Sequence, residues 1–157
     1  IPKDSPRIMS LRDGEKKMSK SEDSDYSRIN LKDDRDLIDK KIKKAKTDAE
    51  PIPSEISGLK NRKEAFNLIS IYAILNNKKI DQVLSDFGGK NFSTFKSKLS
   101  ECVIETICPI GNEIKKLLKD ESYLYTNLSK GSKKAQLIAK TNLKEIYEIM
   151  GLTKFSL

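Results

Sequence analysis

The chain has 157 residues, a net charge of +8 and an apolar content of 36%, with two cysteines and no histidine. This length suits about one domain with a modest core, and two cysteines exclude a disulfide-rich scaffold and a cysteine-histidine metal site. No apolar run is long enough for a membrane span or a secretory signal, so we expect a soluble, cytoplasmic protein.

The positive charge is concentrated in the second part of the chain. Residues 51–157 carry 17 basic and 11 acidic side chains, which is +6 of the total +8. Such an excess favours a polyanionic partner such as RNA, whose binding would depend on salt concentration. A lysine-rich surface also occurs in proteins that bind no RNA, so composition alone leaves both interpretations open.

The first predicted element is a β-strand over residues 7–11. Ile8 favours extended backbone, and Pro6 and the Asp13-Gly14 turn delimit the segment. A short polar loop follows the strand, and we expect Gly14 and Ser24 to be its flexible flanks.

That loop contains the pentapeptide Lys17-Met18-Ser19-Lys20-Ser21, or KMSKS. Two ammonium groups on a mobile loop can follow the negative charge that develops on pyrophosphate when a nucleoside triphosphate reacts at its α-phosphate. The serine hydroxyls and loop N–H groups can donate hydrogen bonds to phosphate oxygens. An isolated pentapeptide of this composition could equally be a solvated basic turn, so its context decides.

The next predicted element is a helix over residues 33–46, with acidic residues at its start and lysines at its end. Leu37, Ile38, Ile42 and Ala45 form its predicted buried stripe. Residues 49–60, which contain two prolines and Gly58, predict a linker.

The remaining residues, 61–157, predict a wholly helical part. A capping box of Asn61 and Glu64 predicts the start of an enclosed helix that extends to Leu75. A short helix is predicted over residues 79–86 and a long one over 93–119, with a kink or break near Ile107 caused by Pro109. The last predicted helix covers residues 132–150 and ends at Gly151.

The last predicted helix has two different faces. One face repeats apolar groups at residues 135, 139, 143, 146 and 150. The other is a basic stripe that could meet phosphates, formed by Lys130, Lys133, Lys134, Lys140 and Lys144. Tyr123, Tyr125 and Phe155 could stack on unpaired bases. An ordinary solvated face and ordinary packing explain these residues as well.

An ordered set of motifs around KMSKS resembles the tryptophanyl-tRNA synthetases, a family of class I aminoacyl-tRNA synthetases. The segment Arg7-Ile8-Met9-Ser10-Leu11 precedes the loop, and Lys40-Lys41-Ile42-x-x-Ala45-x-Thr47-Asp48 follows it. Asn67-Leu68-Ile69, Gly89-Lys90-x-Phe92, Gly131-x-x-Lys134-Ala135 and Met150-Gly151-Leu152 come later in the expected order. The chain departs from the family at residues 50–54 and 64–66.

The resemblance implies a mainly α fold. In it, a helical anticodon-binding bundle, residues 61–157, follows the last strand, KMSKS loop and helix of a truncated Rossmann-like catalytic domain, residues 1–48. Residues 49–60 would be the linker between the two domains.

The resemblance also implies an ATP-dependent reaction that forms tryptophanyl-adenylate and transfers tryptophan to its tRNA. ATP with Mg²⁺ would bind to Ile8, Lys17, Met18, Ser19, Lys20 and Ser21. Lys17 and Lys20 would act in catalysis, while Ile8 and the Met18 backbone would lie on the adenine side. Lys130, Lys133, Lys134 and Lys140 would contact tRNA, and the protein itself would hold no metal.

The HIGH-type motif of class I enzymes needs histidine, and this chain has none. We therefore expect the chain to be the C-terminal part of a longer, homodimeric enzyme, with the tryptophan pocket outside it, and to be inactive by itself. Two alternatives stay open: a non-catalytic helical RNA-binding module, and the tyrosyl branch of the same class.

Overall fold

The computed structural model describes residues 7–152, which fold as five α-helices with no β-strand. The helices are α1 (Arg35–Lys43), α2 (Lys63–Leu75), α3 (Ile80–Phe87), α4 (Phe92–Lys119) and α5 (Glu121–Met150). Short 3₁₀ turns occur at Asp25–Ser27 and Ile56–Leu59. The predicted mainly α fold class is confirmed. One compact unit extends to Glu113, and a second begins at Ile114.

Helix α1 has the predicted charge pattern and buried face, with slightly shorter ends. Asp34 caps its start, where the carboxylate accepts a hydrogen bond of 2.9 Å from the backbone N–H of Leu37. Lysines occupy its last turn. Ile38 and Ile42 are fully buried, and Ala45 just beyond the helix is buried too.

Helix α2 is the enclosed helix that the sequence predicted, but it begins at Lys63, and the predicted capping box is wrong. The residue before the helix, Arg62, makes no side-chain cap and instead donates from Nε to Asp48 at 2.8 Å. Glu64 is also engaged elsewhere, because its carboxylate pairs with Lys46 at 2.7 Å. These two ion pairs connect the start of α2 to the segment that follows α1.

The core of the first unit contains residues from both sides of the predicted linker. Leu11, Ile38 and Ile42 belong to the same buried cluster as Leu68 and Phe95. The linker packs as well, since Ile52 and Leu59 are 2% and 3% exposed. The division at residues 48 and 60 into a catalytic part, a linker and a tRNA-binding part stays a prediction.

The sequence predicts a kink or a break near Ile107. Helix α4 is continuous from Phe92 to Lys119 with Pro109 inside it, so the break is wrong, while the kink stays a prediction. A proline removes one backbone donor but does not by itself interrupt a helix that is packed along one side. Gly111 allows a close approach on that side. A Cβ atom there would lie 2.6 Å from the carbonyl oxygen of Leu31.

Helix α5 begins 11 residues before the predicted start, because Asp120 caps it and accepts a hydrogen bond of 2.9 Å from the Tyr123 N–H. It ends, as predicted, at Gly151, which has a left-handed φ of 65°. None of its residues is buried. Its predicted apolar face is therefore uncovered, with Met150 65% exposed. Within residues 7–152, no helix has the length and apolar character needed to cross a membrane.

Candidate nucleotide-binding site

The KMSKS pentapeptide begins in the second arm of a narrow hairpin whose first arm is residues 8–10. The backbone N–H of Ser10 donates to the Lys16 carbonyl at 2.8 Å, and the N–H of Met18 donates to the Ile8 carbonyl at 3.0 Å. Met9 and Lys17 form an isolated antiparallel bridge. The predicted strand over residues 7–11 is thus reduced to one bridge. Outside the hairpin, Leu11 at its end makes single backbone hydrogen bonds of 2.8 Å to the Ser27 carbonyl and from the Lys46 N–H, and these do not extend the bridge into a strand.

The two lysines of the pentapeptide extend into solvent. Lys17 and Lys20 are both exposed. Within residues 7–152, no hydrogen bond or salt bridge involves either ammonium group, whereas the neighbouring Lys16 pairs with Asp13 at 3.6 Å. The two lysines of KMSKS are therefore the cations of this loop that remain available to an anionic ligand.

The serines and the backbone of the loop are partly engaged with each other. The hydroxyls of Ser19 and Ser21 lie 2.9 Å apart, and the Ser21 N–H donates to the Ser19 Oγ at 3.3 Å. Ile8 and Met18 are half-buried, and the Met18 N–H is already bonded to Ile8. The structure thus brings together the hairpin residues Ile8 and Met18 that were predicted for the adenine side.

The downstream end of the loop is fixed by a buried lysine of α1. The Nζ atom of Lys41 lies 2.6 Å from carboxylate oxygens of both Asp25 and Asp33, and its side chain is 0% exposed. The hydrogen bond from Lys41 lowers the pKa of Asp25, and a hydrogen bond from Asn30 lowers it further. Asp25 opens the 3₁₀ turn that follows KMSKS, so this ionic cluster ties the end of the loop to α1.

The upstream end of the loop is fixed by α2. Gly14 is buried, and a Cβ atom there would lie 2.6 Å from the backbone N of Glu64. Glu15 pairs with Lys63 at 2.6 Å. The expectation that Gly14 is a flexible flank is therefore wrong, because the backbone of α2 packs directly against it.

Asn67 of α2 completes this upstream attachment. Its Oδ1 accepts a hydrogen bond of 3.0 Å from the Met9 N–H, and its Nδ2 donates to the Met9 carbonyl at 2.9 Å. Sequence reasoning assigned no role to Asn67 or Lys41. For Asn67 the sequence did contain a signal, because this polar residue stands among the apolar residues Ala65, Leu68 and Ile69 in a helix expected to be enclosed.

The lysines predicted to contact tRNA lie in the second unit, on α5. Lys130, Lys133, Lys134 and Lys140 are all exposed, and so is Lys144. Their spacing places them on the side of the helix opposite the apolar positions 128, 135, 139 and 146. Tyr123 and Tyr125 are 53% and 76% exposed. Phe155 lies outside the described residues.

Comparison with known proteins identifies the class. The family of class I tRNA synthetases for tryptophan and tyrosine (W and Y) matches residues 3–107, and the chain belongs to it. Within that class the curated relatives point to tryptophan. The tryptophan–tRNA ligase of Agrobacterium fabrum is 51% identical over 149 residues, and that of Rickettsia conorii is 45% identical over 145 residues.

These matches cover nearly all of the chain but less than half of each relative. The Agrobacterium protein aligns with 95% of this chain, which spans 42% of that protein's length; the corresponding values for the Rickettsia protein are 92% and 43%. The crystal structure of tryptophanyl-tRNA synthetase from Mycoplasma pneumoniae superposes with a TM-score of 0.75 at 27% identity. The superposed region covers 97% of this chain and 45% of the Mycoplasma chain.

Proposed function

We propose that this chain supplies the ATP loop and tRNA-binding helices of a tryptophan–tRNA ligase. The observation that carries the proposal is the KMSKS loop, whose two lysines are exposed while both of its ends are fixed to buried anchors. The relatives named as tryptophan–tRNA ligases support tryptophan as the amino acid.

The chemistry follows from where charge develops. When the tryptophan carboxylate attacks the α-phosphate of ATP, the leaving pyrophosphate gains negative charge. Lys17 and Lys20 would stabilise that charge, since their ammonium groups have no other partner in the described residues. The hydroxyls of Ser19 and Ser21 can turn from each other to the phosphate oxygens. Ile8 and Met18 would lie beside adenine.

Magnesium would arrive with the nucleotide. Among residues 7–152, no group of three or more histidine, cysteine, aspartate or glutamate side chains could hold a metal ion. Mg²⁺ commonly binds through substrate phosphates and keeps several waters. Lys17 and Lys20 would therefore act on the phosphates together with the Mg²⁺ that the nucleotide brings.

The second unit would meet the tRNA. Lys130, Lys133, Lys134 and Lys140 form an exposed basic row that could follow a phosphate backbone. In this assignment, residues 1–48 end the catalytic domain, 49–60 link the two domains and 61–157 bind tRNA. The complete enzyme would be a cytoplasmic homodimer, and this chain alone would not activate tryptophan, because it contains no histidine for a HIGH-type motif.

The deciding experiment is amino-acid-dependent exchange between ATP and pyrophosphate, measured on the complete natural protein that carries this chain. Tryptophan and tyrosine are offered in separate assays, with the 157-residue chain as the control. We expect exchange with tryptophan only, and none in the control. Exchange with tyrosine instead would move the protein to the tyrosyl branch, which the family also contains. Exchange with neither would favour an RNA-binding module.

A further inference from the structure

Asn67 is the buried polar side chain that contacts the backbone leading into the ATP loop. It is 4% exposed and lies in α2, 58 residues from Met9 in sequence. Its amide accepts from the Met9 N–H at 3.0 Å and donates to the Met9 carbonyl at 2.9 Å. This orientation of the amide is the one that satisfies both partners, since the reversed amide would place like groups together.

The two hydrogen bonds reproduce what a neighbouring strand would provide. In extended backbone, alternate residues direct their N–H and C=O groups to opposite edges. Ile8 and Ser10 are bonded to Met18 and Lys16 of the loop, and Met9 is bonded on the other edge to Asn67. The segment over residues 8–10 is therefore held between the KMSKS hairpin on one side and a side chain of α2 on the other.

A second contact attaches the turn of the same hairpin to the same helix. Gly14 approaches the first turn of α2 so closely that a Cβ atom would lie 2.7 Å from the backbone carbon of Lys63. Lys63 also pairs with Glu15. Both the strand side and the turn side of the hairpin are thus attached to α2, within four residues of each other along the helix.

We propose that Asn67 is a positioning residue for the KMSKS loop. By holding Met9 to α2, its amide sets where Lys17 and Lys20 stand, so the hairpin and α2 move as one body when ATP is bound. This inference rests on the proposed function, because the lysines are taken to act on ATP. Asn67 itself would touch neither ATP nor tryptophan.

The test is Asn67→Asp in the complete natural protein. The introduced carboxylate can accept from the Met9 N–H but cannot donate to the Met9 carbonyl, which it repels. Protonation makes the carboxyl a donor again and restores both hydrogen bonds. Burial next to a carbonyl raises the pKa of the introduced carboxyl above its ordinary value, so lowering the pH favours the protonated form that restores both bonds.

We expect the variant at pH 8 to show a kcat for tryptophan-dependent exchange lowered by about tenfold, with an unchanged KM for tryptophan. Its activity relative to wild type should recover as the pH is lowered towards 5.5. Asn76→Asp is the matched control, since Asn76 ends the same helix and bonds to Tyr72 and Cys102 instead of the loop. Its activity relative to wild type should not vary with pH.

Hydrogen exchange of the Met9 amide provides a readout that does not depend on activity. Asn67→Asp should speed this exchange at pH 8 while the amides of α2 keep their protection. If the variant does not fold, Asn67→Ser replaces it, and the same loss of kcat at constant tryptophan KM is expected. An active wild type with unchanged kcat and unchanged Met9 exchange in the variants would overturn the proposal. A wild type without tryptophan-dependent exchange would overturn the proposed function, while Met9 exchange would still test the attachment.

Discussion

The Nζ atom of Lys41 lies 2.6 Å from the Oδ2 atom of Asp33, and both side chains are closed to solvent, at 0% and 7% exposure. Lys41 also contacts the half-exposed Asp25 at 2.6 Å. One cation thus joins α1, the segment before it and the 3₁₀ turn after the ATP loop. A buried pair of this kind is expensive to break by removing one partner, because the other charge is left without compensation.

Replacing Lys41 with methionine should therefore destabilise the protein strongly. The change keeps the length of the side chain and leaves Asp33 buried without a cation, which costs about 3–5 kcal/mol of unfolding free energy. Urea denaturation measures this loss. Lys43→Met is the matched control, because Lys43 pairs with Asp39 at the surface with 57% exposure, and such pairs contribute about 0–1 kcal/mol. Equal losses in the two variants would contradict a special role of the buried cluster.

Stability should also fall at acid pH through Asp25. The folded pKa of Asp25 is lowered, chiefly by the hydrogen bond from Lys41. A lowered carboxyl pKa contributes stability that is present above the unfolded pKa of about 4 and is lost as the pH falls through the folded pKa. Urea midpoints measured between pH 7 and pH 3 should drop less in Asp25→Asn than in wild type. Parallel pH curves would show that the Lys41 contact does not persist in solution.

Two glycines should respond to alanine in opposite directions. At Gly14 a Cβ atom would meet backbone atoms of α2 at 2.6 Å and 2.7 Å, so Gly14→Ala must displace the hairpin and should cost about 1–3 kcal/mol. At Gly131, inside α5, a Cβ atom meets nothing within 4 Å. Gly131→Ala should stabilise the helix by about 0.5–1 kcal/mol. Thermal melts followed by circular dichroism compare the two variants. A neutral Gly14→Ala would show that the hairpin does not pack on α2.

The parts of the structure that depend on local sequence could be predicted. The acidic start and basic end of α1 follow the helix dipole, and Asp34 supplies a cap within three residues of its donor. The KMSKS pentapeptide is contiguous, so its position is visible in the sequence. Helix α5 was predicted from its apolar repeat, and its start was missed because Ser129, Gly131 and Ser132 are poor helix formers. Asp120 with Glu121 was the available cap signal.

The attachments of the loop could not be predicted, because each joins residues far apart in sequence. Asn67 is 58 residues from Met9, and Lys63 is 48 residues from Glu15. Local propensity favours extended backbone but does not specify which segment pairs with it. Residues 7–11 were therefore predicted as a strand, whereas in the structure they form a single bridge. Sequence reasoning thus proposed residues for ATP contact and missed Asn67 and Lys41, which attach the loop to α2 and α1.

The basic row of α5 leads to a prediction about tRNA. Lys133→Ala with Lys134→Ala removes two exposed charges from the side opposite the apolar positions. Loss of a phosphate contact lowers the affinity for tRNA, and it also makes binding less dependent on salt concentration. We expect lower tRNA affinity, a smaller salt slope and unchanged ATP–pyrophosphate exchange in the complete protein. Lys78→Ala with Lys98→Ala removes the same charge from residues paired with Asp86 and Glu101 and should retain affinity. If both double variants bind tRNA with equal affinity, the basic row of α5 is an ordinary solvated face.

Replacing Lys20 with alanine tests the chemical role of the loop. The charge that Lys20 would meet grows as pyrophosphate leaves, so the loss should be larger in the transition state than in the bound ground state. We expect adenylate formation in the complete protein to slow by about 100-fold or more, while tryptophan binding changes by less than about twofold. Single-turnover kinetics separate the two quantities. Lys98→Ala, which removes a lysine of α4, should leave both unchanged. An unaltered adenylation rate in Lys20→Ala would contradict this role, because the charge that the side chain meets grows in the transition state.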